Sequence, residues 1–81
     1  MIIEFSQNAD KAFSSLDKTT QVRIAKKLVE IKSNPQRHLF SLTNREFEKL
    51  RVGDYRLFCI FDKEKNTLFI LEIKHRKNAY K

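Results

Sequence analysis

The chain's single glycine, Gly53, is followed by Asp54 and stands between two stretches that alternate polar and apolar residues. This arrangement limits the fold more than any other feature. A two-residue Gly-Asp connection closes a β-hairpin, and Gly at its first central position suits a type II′ turn. It also fixes the register: Val52 lies opposite Tyr55, Arg51 opposite Arg56, Leu50 opposite Leu57 and Lys49 opposite Phe58. Alternation then puts Phe47, Lys49, Arg51, Arg56, Phe58 and Ile60 on one face. Leu50, Val52, Tyr55, Leu57, Cys59 and Phe61 share the other, which is nearly all apolar and is expected to lie on helices.

The flanking elements follow from the change of period. Ile2, Ile3 and Phe5 read as a short first strand. Ser6 is an N-cap, and Ala9, Ala12, Phe13 and Leu16 recur at helical spacing, giving a helix over about residues 7–16. Asp17 caps a second helix whose apolar stripe is read as Val22, Ala25, Leu28, Val29 and Ile31, expected to be core. Arg23, Lys26, Lys27, Glu30 and Lys32 lie mainly on its other side, and Pro35 ends it. Residues 35–45 form a loop. Strands follow at Phe47 to Val52, Tyr55 to Phe61 and Leu68 to Ile73, with Lys63 to Asn66 as a polar turn. The expected class is α+β: strand–helix–helix–strand–strand–strand, a mainly antiparallel sheet with a helical hairpin on one face.

Eighty-one residues make one domain, residues 1–81. One Cys excludes an intramolecular disulfide framework and a multi-Cys zinc site. His38 and His75 lack metal-ligand spacing, and no Gly-rich phosphate loop is present, so no metal or cofactor is expected. Cys59 reads as core and His38 as solvated. No apolar run reaches the roughly 18 residues a membrane helix needs, and no basic n-region precedes an apolar one, so a soluble, cytoplasmic protein is expected. The net charge of +7 favours a polyanionic partner. The basic surplus lies in residues 18–38 and at the C-terminus.

Two arginines directly opposite each other repel, and like charges across strands are normally destabilising. The pair Arg51–Arg56 makes sense if an anion sits between them, and phosphate matches the guanidinium fork. Lys49 lies beside them. The last strand runs back toward the Gly53-Asp54 turn, so His75, Arg76 and Tyr80 are delivered to the same end of the sheet.

Lys49-Leu-Arg-Val-Gly-Asp-Tyr-Arg56, followed about 20 residues later by His75-Arg76 and Tyr80, resembles the RelE branch of the RelE/ParE toxin superfamily. The element order and the opening Ile-Ile-Glu-Phe-Ser agree, and the resemblance covers essentially the whole chain. It implies a type II toxin that cleaves mRNA in the ribosomal A site without a metal. It also implies a RelB-like antitoxin in a hetero-oligomeric complex, with ribosome and mRNA as further partners. Carried over, Arg56 would stabilise the phosphorane and Arg51 would hold the phosphate. Arg76 would stabilise the leaving group, and Tyr80 would stack on a base. Lys49 is the candidate base, since cationic neighbours disfavour a charged lysine. His75 is the alternative base or acid, because imidazole titrates near neutrality. The sequence departs from some members at Phe47, where they carry another lysine. An antitoxin would dock on Phe58, Ile60 and the basic face of the second helix. Two other readings stand beside this one: a ParE-like, gyrase-poisoning toxin on the same fold, and a catalytically weak basic RNA- or ribosome-binding module.

Overall fold

The computed structural model of the chain describes residues 1–34 and 47–79. Its elements run β1 (Ile2–Phe5), α1 (Gln7–Ser14), α2 (Lys18–Ser33), β2 (Phe47–Val52), β3 (Tyr55–Asp62), β4 (Thr67–His75) and a short α3 (Arg76–Ala79). The strands form one sheet in the order β1-β4-β3-β2, with β1 parallel to β4 and the other pairs antiparallel. The expected α+β architecture is therefore present. The 35–45 loop and His38 lie outside the described residues.

Each helix starts where a side chain takes up the free N–H groups of its first turn. The Ser6 hydroxyl accepts from the Ala9 N–H at 3.0 Å and donates to the Leu71 carbonyl of β4 at 2.7 Å. One cap thus ties α1 to the sheet. Asp17 accepts from the Thr20 N–H and hydroxyl, and these bonds, the hydroxyl's first, hold its carboxyl below its ordinary value. Between the helices, the Gln21 amide donates to the Phe13 carbonyl at 2.9 Å. The Phe13 ring meets Phe5 edge-on at 5.6 Å, which fastens α1 to β1.

The hairpin register is as read from the sequence, with Arg51 opposite Arg56 and Val52 opposite Tyr55. Gly53 has φ +59°, as the first central residue of a type II′ turn requires. At the far end of the sheet, Asn66 takes φ 49° in the turn before β4, a conformation asparagine tolerates. Leu50, Val52, Leu57 and Cys59 are buried on the helix-facing side with Leu68, Ile70 and Ile73. Cys59 is core, as expected.

The stripe of α2 agrees with the expectation at Leu28 and Ile31 and differs at its other positions. Ile24, Leu28 and Ile31 enter the core. Val22 and Val29 are 42% and 62% exposed, and Ala25 is exposed with them. The reason is that α2 carries two apolar rows. Positions 24, 28 and 31 follow helical spacing as well as 22, 25 and 29 do, and the two rows point in different directions around the helix. Periodicity finds both rows without ranking them, and the row with two isoleucines is the one buried.

Truncating Ile24 to Ala should cost about 2–5 kcal/mol, because it empties a fully buried site. Val29→Ser should stay within about 0.5 kcal/mol as an exposed change. Urea unfolding of the two variants measures the contrast, and equal losses would contradict this assignment of the core row.

Candidate functional site

The sheet face turned away from the helices carries the charge. On β2, Lys49 and Arg51 are exposed; on β3, Arg56, Phe58 and Ile60 are half-buried. Arg56 is paired across the sheet on both sides, with Arg51 on β2 and with Lys74 on β4. Three cations therefore form one row over three strands, next to the turn. The neighbouring row is Lys49, Phe58 and Glu72. Glu72 makes a 3.4 Å ion pair with Lys74 across half-exposed surface, which tempers that end of the row.

Lys74 was not picked out from the sequence, because its face depends on a β-bulge. Between β3 and β4 the register slips: Cys59 pairs with Ile70 and Phe58 with Glu72, which leaves Leu71 without an opposite residue. Before the bulge, Leu68 and Ile70 face the core. After it, Ile73 and His75 do, and Lys74 turns to the open face. The run Leu68-Phe69-Ile70-Leu71 is apolar throughout, so no alternation marks where the slip falls.

The bulge also decides the place of His75. The expected convergence at the turn end of the sheet is present for two of its three residues: His75 pairs with Tyr55, and the Arg76 N–H donates to the Asp54 carbonyl at 2.6 Å. The face is different, however. The His75 ring lies edge-on to Tyr55 at 5.1 Å, on the side of Leu57 and Ile73, away from that of Arg51 and Arg56. Its Nδ1 accepts from the Lys77 N–H at 3.2 Å, so His75 caps α3. Arg76 is exposed beside the turn. Asp54, His75, Arg76 and Lys77 line a hollow of about 330 Å³ there. Tyr80 lies outside the described residues. Among the described residues no three His, Cys, Asp or Glu side chains gather as a metal site.

A second surface lies on the helical layer. The exposed row Val22, Ala25 and Val29 of α2 is flanked by the exposed lysines Lys18, Lys26 and Lys32. Ala25 and Val29 continue into a groove of about 410 Å³, floored by Ile3, Phe5, Phe13 and Leu28. Asp10 and Lys32 stand at its rim.

Residues 3–80 match the family described as the ParE toxin of the type II toxin–antitoxin system parDE. No curated relative matches the sequence. Among solved structures, the archaeal RelE–RelB complex from Pyrococcus horikoshii is similar at a TM-score of 0.76 and 20% identity, over 96% of this chain and 97% of that one. The intact E. coli RelBE toxin–antitoxin complex is similar at 0.70 and 26%, over 91% and 94%. A RelBE toxin–antitoxin complex from Mycobacterium tuberculosis is similar at 0.60 and 26%, over 95% and 92%.

Like charges set opposite each other across strands repel. Arg51→Thr should therefore stabilise the protein at low ionic strength by about 0.2–1 kcal/mol, the scale of a cross-strand pair. The gain should fade near 1 M salt, where the Debye length is about 3 Å. Thermal melts at both salt concentrations test this. A loss of stability at low salt would mean that the row is held by attraction.

Proposed function

Because the chain belongs to the ParE toxin family of type II toxin–antitoxin systems, we propose that it is a toxin that stops translation by cutting mRNA in the ribosomal A site. The observation that carries this reading is the row Arg51, Arg56 and Lys74 on an open sheet face, with Lys49 one row away. Cations set opposite one another fit a polyanion, and the resemblance of Lys49–Arg56 and His75-Arg76 to the RelE branch favours RNA among polyanions.

The reaction needs no group from outside the RNA to act as nucleophile. The ribose 2′-oxygen attacks the adjacent phosphorus and the bond to the 5′-oxygen breaks, leaving a 2′,3′-cyclic phosphate and a 5′-hydroxyl. DNA lacks this nucleophile. A base takes the 2′-OH proton, cations take up the charge gathering on the phosphorane, and an acid protonates the departing oxygen. Arg56 sits between Arg51 and Lys74, so a phosphate above it meets cations on both sides. Lys49 shares that face, which supports it as the base over His75. His75 instead positions α3, and with it Arg76, for the leaving group. Tyr80 is assigned to stacking on a base through the family resemblance alone. A site without a strong carboxylate base depends on having its RNA held in line, which the ribosome would do.

The partner is a RelB-like antitoxin, as in the similar complexes. Its chemistry follows from the second surface: an amphipathic segment with apolar residues for Val22, Ala25 and Val29 and acidic ones for Lys18, Lys26 and Lys32. A second copy of this chain would bring lysines against lysines. Phe58 and Ile60, half-buried on the open face, offer a smaller contact.

The test is a translation reaction on a defined message, with mRNA 5′ ends mapped by primer extension. Wild type should give cuts within A-site codons, and Arg56→Ala should lose them by about 10²-fold or more, as when one charge-stabilising group is removed. The second reading, a gyrase-poisoning toxin, is favoured by the description of the matched family. It would be indicated by intact mRNA at a dose that still arrests growth. Separately, Val29→Asp should weaken antitoxin binding by about tenfold or more in titration calorimetry while the fold melts normally. Unchanged affinity would move the antitoxin off α2.

A further inference from the structure

Cations also approach the hairpin turn from the helical side. Arg23 projects from the second turn of α2, and a Cβ placed on Gly53 would lie 3.0 Å from its Nη1 and 3.7 Å from its Cζ. The guanidinium thus rests against the turn backbone, where a side chain at position 53 would crowd it. Arg23 is exposed, and among the described residues no carboxylate or carbonyl is bonded to it. Across the turn, Asp54 meets Arg76 and Lys77. The tip of the hairpin is therefore flanked by Arg23 on one side, by Arg76 and Lys77 on the other, and by Arg51 and Arg56 on the open face. Asp54 is the one acidic residue within the turn.

Charges of one sign are expected to avoid such crowding unless an anion joins them, and an arginine without a partner has its whole fork available for phosphate oxygens. We propose that Arg23 is a phosphate-binding residue of the substrate site. An RNA strand that places one phosphate on the Arg51–Arg56–Lys74 row and runs along the hairpin passes over Gly53-Asp54, and its next backbone phosphates meet Arg23 on the helical side of the tip. This extends the RNA reading above and rests on it for the class of ligand. It places the recognition of flanking nucleotides on α2, outside the reacting face.

The test uses a single-stranded 2′-O-methyl RNA, which has no free 2′-OH and so is not cut, with binding followed by fluorescence anisotropy across a salt series. Wild type, Arg23→Gln, Arg23→Lys and Lys65→Gln are compared. Lys65 lies in the turn at the opposite end of the sheet. Arg23→Gln should bind several-fold more weakly at low salt and lower the slope of log K against log salt by about 0.7, the value for one phosphate of a single strand. Arg23→Lys should keep the slope, and Lys65→Gln should match wild type. A slope unchanged in Arg23→Gln overturns the proposal. So does an equal fall in Lys65→Gln, which would reduce the effect to net charge, as when an acidic protein segment is the true ligand. A lowered slope in Arg23→Gln, with translated mRNA left intact by wild type, overturns the nuclease reading and retains the Arg23 contact.

Discussion

The arrangement of this protein turns on the hydroxyl of Ser6. A β-bulge at Leu71 breaks the ladder between β3 and β4, and a backbone group left without its ladder partner needs another one if the bulge is to persist. Ser6 supplies it by donating to the Leu71 carbonyl while capping α1 and while its own N–H donates to the Ile70 carbonyl. One residue thereby fixes where the helical layer begins, where β1 meets β4 and which way the last third of β4 faces. Without the slip, Ile73 would leave the core and Lys74 would enter it. The open-face cation row and the position of His75 under Tyr55 both depend on this point of contact, on the far side of the sheet from the row.

The open face also shows what the fold gives up. Cross-strand neighbours usually attract, and here Arg51, Arg56 and Lys74 are aligned, with Glu72 paired to Lys74 beside them. The apolar face below, with Leu57, Cys59, Leu68 and Ile70 fully buried, makes the register stiff enough to hold such a row. A one-residue slip of β2 would scatter the charges, but it would also turn Leu50 and Val52 out to solvent. The core on one face therefore sets the spacing of cations on the other.

Much of this was legible in the sequence, and the reasons differ by element. The lone Gly-Asp turn set the register of β2 and β3 to the residue, because a two-residue hairpin allows little else. Ser6 and Asp17 announced both helix starts through their capping chemistry. The bulge was hidden, because a run of four apolar residues has no phase to read, and Lys74 and the face of His75 were hidden with it. On α2 the pattern held two valid stripes, and burial by a particular neighbour chose between them. Arg23 was read as part of a basic helix surface, since no spacing rule reports that a long side chain reaches a turn thirty residues away in the chain.

The two surfaces of the proposed toxin lie on opposite layers, and this bears on how a partner would silence it. A segment seated on Val22, Ala25 and Val29 contacts α2 and leaves Arg51, Arg56 and Lys74 uncovered. Neutralisation from there requires a chain long enough to pass around the edge of the sheet, or a bulk that keeps the open face from its substrate. The hairpin tip lies between the layers and carries cations toward both. An acidic chain leaving the α2 groove would meet Arg23 before it met the reacting face. Contact there would compete directly with flanking RNA phosphates, so a partner could weaken substrate binding while still seated on the helical side.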